Sequence, residues 1–168
     1  FMDEKIKMYF IHKGTMALLP VFLEDGKIGT KVLEEGRELV VHCKPTYIVT
    51  ASCIYYGASY KGRRDATKEL IQVNRKPPIA VNPYHEVYFF PSLSPTQEFC
   101  GWFSNAHIAH FKRMSYNQSE ITFLNGEKIL YNISKNTLEV QLSRTSILKS
   151  ILSKRFAYSK KFPYELQH

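Results

Sequence analysis

The sequence predicts an α+β fold: an antiparallel β meander and hairpins with a central helix pair and a long C-terminal helix. Three observations predict it. β-leaning runs are broken by Asp25-Gly26, Glu34-Glu35-Gly36 and Asn125-Gly126, the turn chemistry that joins antiparallel strands. The apolar period becomes helical between Thr46 and Gln72. An apolar stripe at helical spacing then returns after Ser134.

In chain order, Met16–Pro20, Lys27–Leu33 and Arg37–His42 form the meander, which Lys44-Pro45 closes because proline cannot donate to a ladder. Thr46 is placed to cap a helix over Tyr47–Tyr56, with Gly57 at its C-terminal stop. A second helix is expected over Gly62–Gln72. Ala66, Leu70 and Val73 share one of its faces, and Lys61, Arg64, Asp65 and Lys68 the opposite one. Arg63 falls near the apolar side, with a packed stem and a head reaching outward. Lys76-Pro77-Pro78 ends the helical section. Ile79–Asn82 and Glu86–Pro91 read as strands about an Asn-Pro turn, Ser92–Gln97 as a loop, Phe99–Phe103 as a further apolar stretch and Ile108–Met114 as a half-buried strand. ITFL-NG-EKILYNI, within Glu120–Ile133, is the clearest hairpin. Ser134 can cap a last helix over Asn136–Phe156, whose stripe is Ile147, Leu148, Ile151 and Leu152. These elements make a single domain over residues 2–157, with a basic, mobile tail at 158–168.

The 168 residues are enough to bury a core, and the ordinary apolar content of 44% predicts a folded protein. Three cysteines, odd in number and widely spaced, make no disulfide framework. Phe1, ahead of Met2, is left out of the reading. The charged opening MDEKIKMYF carries no export signal, and no run approaches a membrane span. A reduced, cytoplasmic chain with no membrane partner is the expectation.

Charge decides the class of partner. The formal net charge is +8, and it is clustered. Residues 42–80 hold seven Lys and Arg against two carboxylates, and 141–168 hold six against one, while the stretches between are near neutral. Two basic surfaces, or one built from both blocks, point to a polyanion. The first block interleaves cations with aromatics: Tyr55, Tyr56 and Tyr60, then Lys61, Arg63, Arg64, Lys68, Arg75 and Lys76. Each cation can neutralise a phosphate and release a counterion, and a tyrosine can stack on or wedge a base step. Lys112 and Arg113, with Lys149, Lys154, Arg155, Lys160 and Lys161, are candidates for a flanking contact. A solvated helix face over core tyrosines is the alternative reading of the same residues. Asp65, within a turn of Lys61 and Lys68, favours it more for the lysines than for the arginines.

Enzyme classes are disfavoured. His107 and His110 would fall on opposite faces of a strand, and neither a cysteine pair nor a carboxylate completes a metal set. Cys53 and Cys100 read as buried packing rather than nucleophiles, and Trp102 as core. There is no phosphate-cradling glycine loop and no carboxylate pair, so no catalytic residue and no cofactor are expected.

The pattern IV-x-x-SC-x-YYG-x-SY-x-GR over Ile48–Arg63 continues through T-K-x-L at 67–70, KPPI-x-V-x-P over Lys76–Pro83 and FFPSLS over Phe89–Ser94. Cys100-Gly101-Trp102, H-I-x-x-F from His107, ITFLNG and Ile133-Ser134 follow. These blocks resemble the ComK family of competence transcription factors from Gram-positive bacteria, over roughly residues 15–146. The resemblance implies a transcriptional activator that binds paired AT-rich boxes of double-stranded DNA upstream of DNA-uptake genes. It also implies approach from the minor groove, assembly as a homodimer or tetramer, contact with RNA polymerase, and control by an adaptor and Clp protease. Phe162-Pro163-Tyr164-Glu165 echoes a family segment tied to assembly and adaptor recognition. Tyr60, Lys61, Arg63, Arg64, Lys68, Arg75, Lys76, Lys112 and Arg113 are the expected DNA contacts, inferred from their chemistry. The rival expectation is a protein-interaction or RNA-binding module without sequence-specific DNA recognition.

Overall fold

A computed structural model describes residues 5–161; of the mobile tail expected over 158–168, residues 158–161 are instead the last turn of a helix, and Phe162–Glu165 with the remainder lie outside the described residues. The meander forms as expected: β1 (Thr15–Phe22), β2 (Ile28–Glu34) and β3 (Arg37–Val41). Two helices follow, α1 (Pro45–Tyr55) and α2 (Tyr60–Ile71), and then β4 (Ile79–Asn82), β5 (Val87–Pro91) and β6 (Trp102–Ser104). β7 (Ile108–Ser115), β8 (Gln118–Phe123), β9 (Lys128–Tyr131) and α3 (Lys135–Lys161) complete the chain. The α+β class is therefore the observed one.

The six earlier strands make one antiparallel sheet in the order β3-β2-β1-β6-β5-β4, and β7-β8-β9 make a second, smaller one. Strand alternation sends side chains to both faces of the larger sheet, and both are buried. Leu18, Val32, Phe89 and Trp102 pack with Ile48, Val49 and Cys53 of α1. Ala17, Leu33, Phe90 and Phe103 pack on the opposite face with Ile121 and Phe123 of the small sheet and Leu138 of α3. A third cluster at the β4 edge joins Ala80 and Tyr88 to Leu148 and Leu152 of α3 and to Leu70 and Ile71 of α2. The product is a three-layer sandwich with the long sheet in the middle.

Local chemistry moves several element ends. α1 starts at Pro45, because proline's fixed φ and missing N–H suit the first helical position. Thr46 is therefore not the cap; its hydroxyl accepts a 3.0 Å hydrogen bond from Trp102 Nε1 in the core. α2 starts at Tyr60 rather than Gly62, because the Ser59 hydroxyl accepts from the Gly62 N–H at 3.0 Å. Of its expected packed face, Leu70 packs and Val73 is buried, but Ala66 is not. Thr67 is buried and Ala66 exposed, since the Thr67 hydroxyl donates to Pro78 O at 2.7 Å and fastens α2 to the start of β4. α3 continues as helix to Lys161, past the expected end at Phe156. Its buried positions are Leu138, Gln141, Thr145 and Leu148, whereas Ile147 is half exposed.

Candidate nucleic-acid interface

The Ser59 cap and the left-handed Gln72 define the two ends of α2. The chain then reverses through residues 73–78, and this turn is held from behind by α3. Gln141, buried, donates its side-chain amide to Lys76 O and to Pro91 O, both at 3.0 Å. Arg144 Nη1 donates to Arg75 O at 3.2 Å. Lys76 itself sits at φ 51°, a left-handed conformation that lysine rarely adopts and that the following Pro77 restricts further. A strained residue persists only where its surroundings over-determine it, and here the clamp is Gln141.

α2, this turn and the loop after β5 enclose a cleft of about 590 Å³. Arg64, Lys68, Arg75 and Lys76 line it, with no Asp or Glu among the lining residues. Tyr60, Pro77, Leu93 and Pro95 supply apolar wall, and Asn74, Ser94, Thr96 and Gln97 neutral polar groups. The Tyr60 ring packs edge-on to Trp102 with centroids 6.2 Å apart, so it forms a floor. Burial pushes its hydroxyl up to about 12, against the pull of Arg64, and it stays neutral at physiological pH. The Arg64 guanidinium lies 5.9 Å over that ring.

The sequence-predicted residues divide accordingly. Arg64, Lys68, Arg75 and Lys76 are brought together, and Tyr60 lies beneath them. Lys61 is exposed and spends its charge on Asp65 at 2.9 Å, one helical turn away. Its ammonium, together with Arg64, holds the Asp65 carboxyl below its usual range. Arg63 is half-buried, and its Nε has no hydrogen-bond partner. Its charge is felt by the Cys53 thiol and the Tyr88 hydroxyl. Lys112 and Arg113 lie on β7, across the central sheet from Tyr60, and Lys112 pairs with Glu120 at 3.6 Å.

Residues the sequence reading passes over are the loop side chains Ser94, Thr96 and Gln97, Asn74, and the clamp Gln141–Arg144. The Leu93–Gln97 loop is visible in sequence only as a loop, and Gln141 only as a polar interruption of a helix. Burial raises the Cys53 thiol to about 11 and also raises that of Cys100, the reverse of nucleophile activation. His107 is buried with Nε2 2.6 Å from Lys13 O, and among the described residues no three His, Cys, Asp or Glu gather as a metal set. No helix among the described residues is long and apolar enough to cross a membrane.

Three blocks of sequence thus meet at one cleft: Tyr60 from the first, with Arg64 just past its end, Lys76 and Pro77 from the second, Leu93 and Ser94 from the third. The model of the ComK protein family matches residues 6–157. The chain belongs to the ComK family. It is 38% identical over 148 residues to the competence transcription factor of Bacillus subtilis strain 168, covering 88% of this chain and 77% of that protein. No solved structure matches the chain. The resemblance read from Ile48–Arg63 and Lys76–Pro83 is thereby the family assignment itself. In this ComK-family chain those blocks build the cap, floor and end wall of a cationic cleft.

Proposed function

We propose that the protein is a competence transcription factor that works by binding duplex DNA along α2 and its cleft, with no catalytic step. The name of its Bacillus subtilis relative supports the first part. The observation that carries the second is the gathering of Arg64, Lys68, Arg75 and Lys76 at a cleft lined by no carboxylate. Cations gathered on one face, three of them with no carboxylate within salt-bridge distance among the described residues, release counterions when they meet phosphates.

The reading extends to AT-rich boxes entered from the minor groove, whose narrow, negative floor in A-tracts attracts arginine. Arg64 is the guanidinium best placed for that floor, because Arg63 is turned toward the protein. Lys68, Arg75 and Lys76 take the flanking phosphates. A degenerate groove code discriminates weakly, so two copies on paired boxes, as a homodimer or tetramer, multiply the preference. Contact with RNA polymerase and hand-over by an adaptor to a Clp protease belong to the same family reading.

Competition gel shifts with AT-rich and GC-rich duplexes of equal length test it, with a minor-groove drug as a further competitor. Arg64→Met should lose about 1–3 kcal/mol of binding and relax the AT preference. Arg63→Met, which keeps the packed stem, should bind as the parent does. Normal AT selection by Arg64→Met would remove the cleft from the DNA surface. Equal affinity for single-stranded RNA would favour the rival polyanion-binding module.

A further inference from the structure

We propose that the cleft beside α2 is also a binding site for a free nucleoside polyphosphate, which competes there with DNA. The competition, though not the binding, rests on the DNA reading above.

The shape argues for it first. A cleft of about 590 Å³ is the size of a small-molecule pocket. The charge argues next. Lys68, Arg75 and Lys76 have no carboxylate within salt-bridge distance among the described residues, and Arg64 has only a 3.5 Å contact with Asp65. Four cations around one cavity exceed the need of a single phosphate and suit a polyphosphate chain. The walls supply the rest. Tyr60, Pro77, Leu93 and Pro95 offer apolar surface to a base, and the amides of Asn74 and Gln97 can both donate to and accept from its edge. The site is also pre-built: Lys76 is held in its left-handed conformation by the Gln141 clamp, so little ordering is left for binding to cost.

Ribose-labelled fluorescent ATP and GTP, titrated into the full chain without DNA, test the binding. Saturation at one label per chain is expected, with inorganic tripolyphosphate displacing the label at least about tenfold less well than ATP, a gap of about 1.4 kcal/mol from the base wall. Arg75→Ala and Lys76→Asn should each weaken binding about tenfold or more, and Lys128→Ala on the distant small sheet should not. Asparagine tolerates the left-handed conformation, so Lys76→Asn removes the charge without unfolding the turn, and thermal melts check each variant. No saturation by about 1 mM nucleotide overturns the proposal, as does equal loss in Lys128→Ala or displacement by tripolyphosphate as good as that by ATP. Unlabelled ATP should then release a bound AT-rich duplex. Nucleotide binding with the duplex retained overturns the shared site. Nucleotide binding by a chain that never binds duplex leaves this site standing and sinks the DNA reading instead.

Discussion

Glu34 shows how one residue ties sequence-distant groups together. Its carboxylate is buried at the end of β2 and accepts hydrogen bonds from Tyr9, from His12 Nε2 at 2.7 Å and from Arg37 Nε at 2.5 Å. Burial pushes this carboxyl up, but the three donors outweigh it and hold it at about 2, below its ordinary 4.5. A lowered folded value contributes stability that is complete above about 4.5 and is lost as pH falls through about 2. Glu34→Gln should therefore cost about 3 kcal/mol at neutral pH and flatten the acid limb of a melting-temperature profile. A variant that melts with the parent's pH dependence would assign that limb to other carboxylates. Gly101 is a second single-atom constraint. A Cβ there would collide with the Tyr131 hydroxyl across the two sheets, so Gly101→Ala should lower stability by about 1–3 kcal/mol, read by denaturant melts. At this scale the cations of the cleft are legible, because charge and residue type are printed in the chain. The Glu34 network and the Gly101 contact are not, because only the pairing of distant segments creates them.

Among the elements, α3 does two tasks that its sequence conceals. Its buried face runs Leu138, Gln141, Thr145 and Leu148, and the two polar members break the apolar stripe a periodicity argument seeks. Both are satisfied: Thr145 donates to Gln141 O at 2.6 Å, and Gln141 bridges Lys76 O and Pro91 O. The same limit explains α2, where Thr67 replaces the expected Ala66 on the packed face because a hydrogen bond to Pro78 O compensates its hydroxyl. Element existence, by contrast, follows from turn chemistry. Gly26, Gly36, Gly57 and Gly126 all take the positive φ their turns require. Gln141→Leu keeps the volume but leaves the buried Pro91 carbonyl and the part-buried Lys76 carbonyl without this donor, so it should cost about 1–3 kcal/mol in a chemical melt. It should also weaken DNA binding without removing any charge, because the Lys76 turn loses its support. Unchanged affinity in a destabilised Gln141→Leu protein would show that Lys76 holds its position without the clamp.

At the scale of the molecule, the three layers decide which of the clustered charges can act together. The two basic blocks of the sequence meet at one point, where Arg144 of α3 reaches the Arg75 carbonyl at 3.2 Å beside the cleft. Lys112 and Arg113 are separated from that cleft by the central sheet. One copy therefore cannot present both groups to the same stretch of duplex, which a linear count of positive charge does not reveal. The salt dependence of binding measures the number of cations engaged, with log affinity falling by about 0.9 per phosphate neutralised for each decade of salt. Removing Arg75 and Lys76 together should reduce the slope by about 1.8 on an AT-rich duplex. Removing Lys112 and Arg113 should leave the slope of a single-copy complex unchanged. A reduced slope in that second variant on a paired-box duplex, but not on a single box, would mean that a second copy brings its small sheet to the DNA. In that outcome the layered fold would set the geometry of the assembly, with the cleft of one copy and the small sheet of another facing the same double helix.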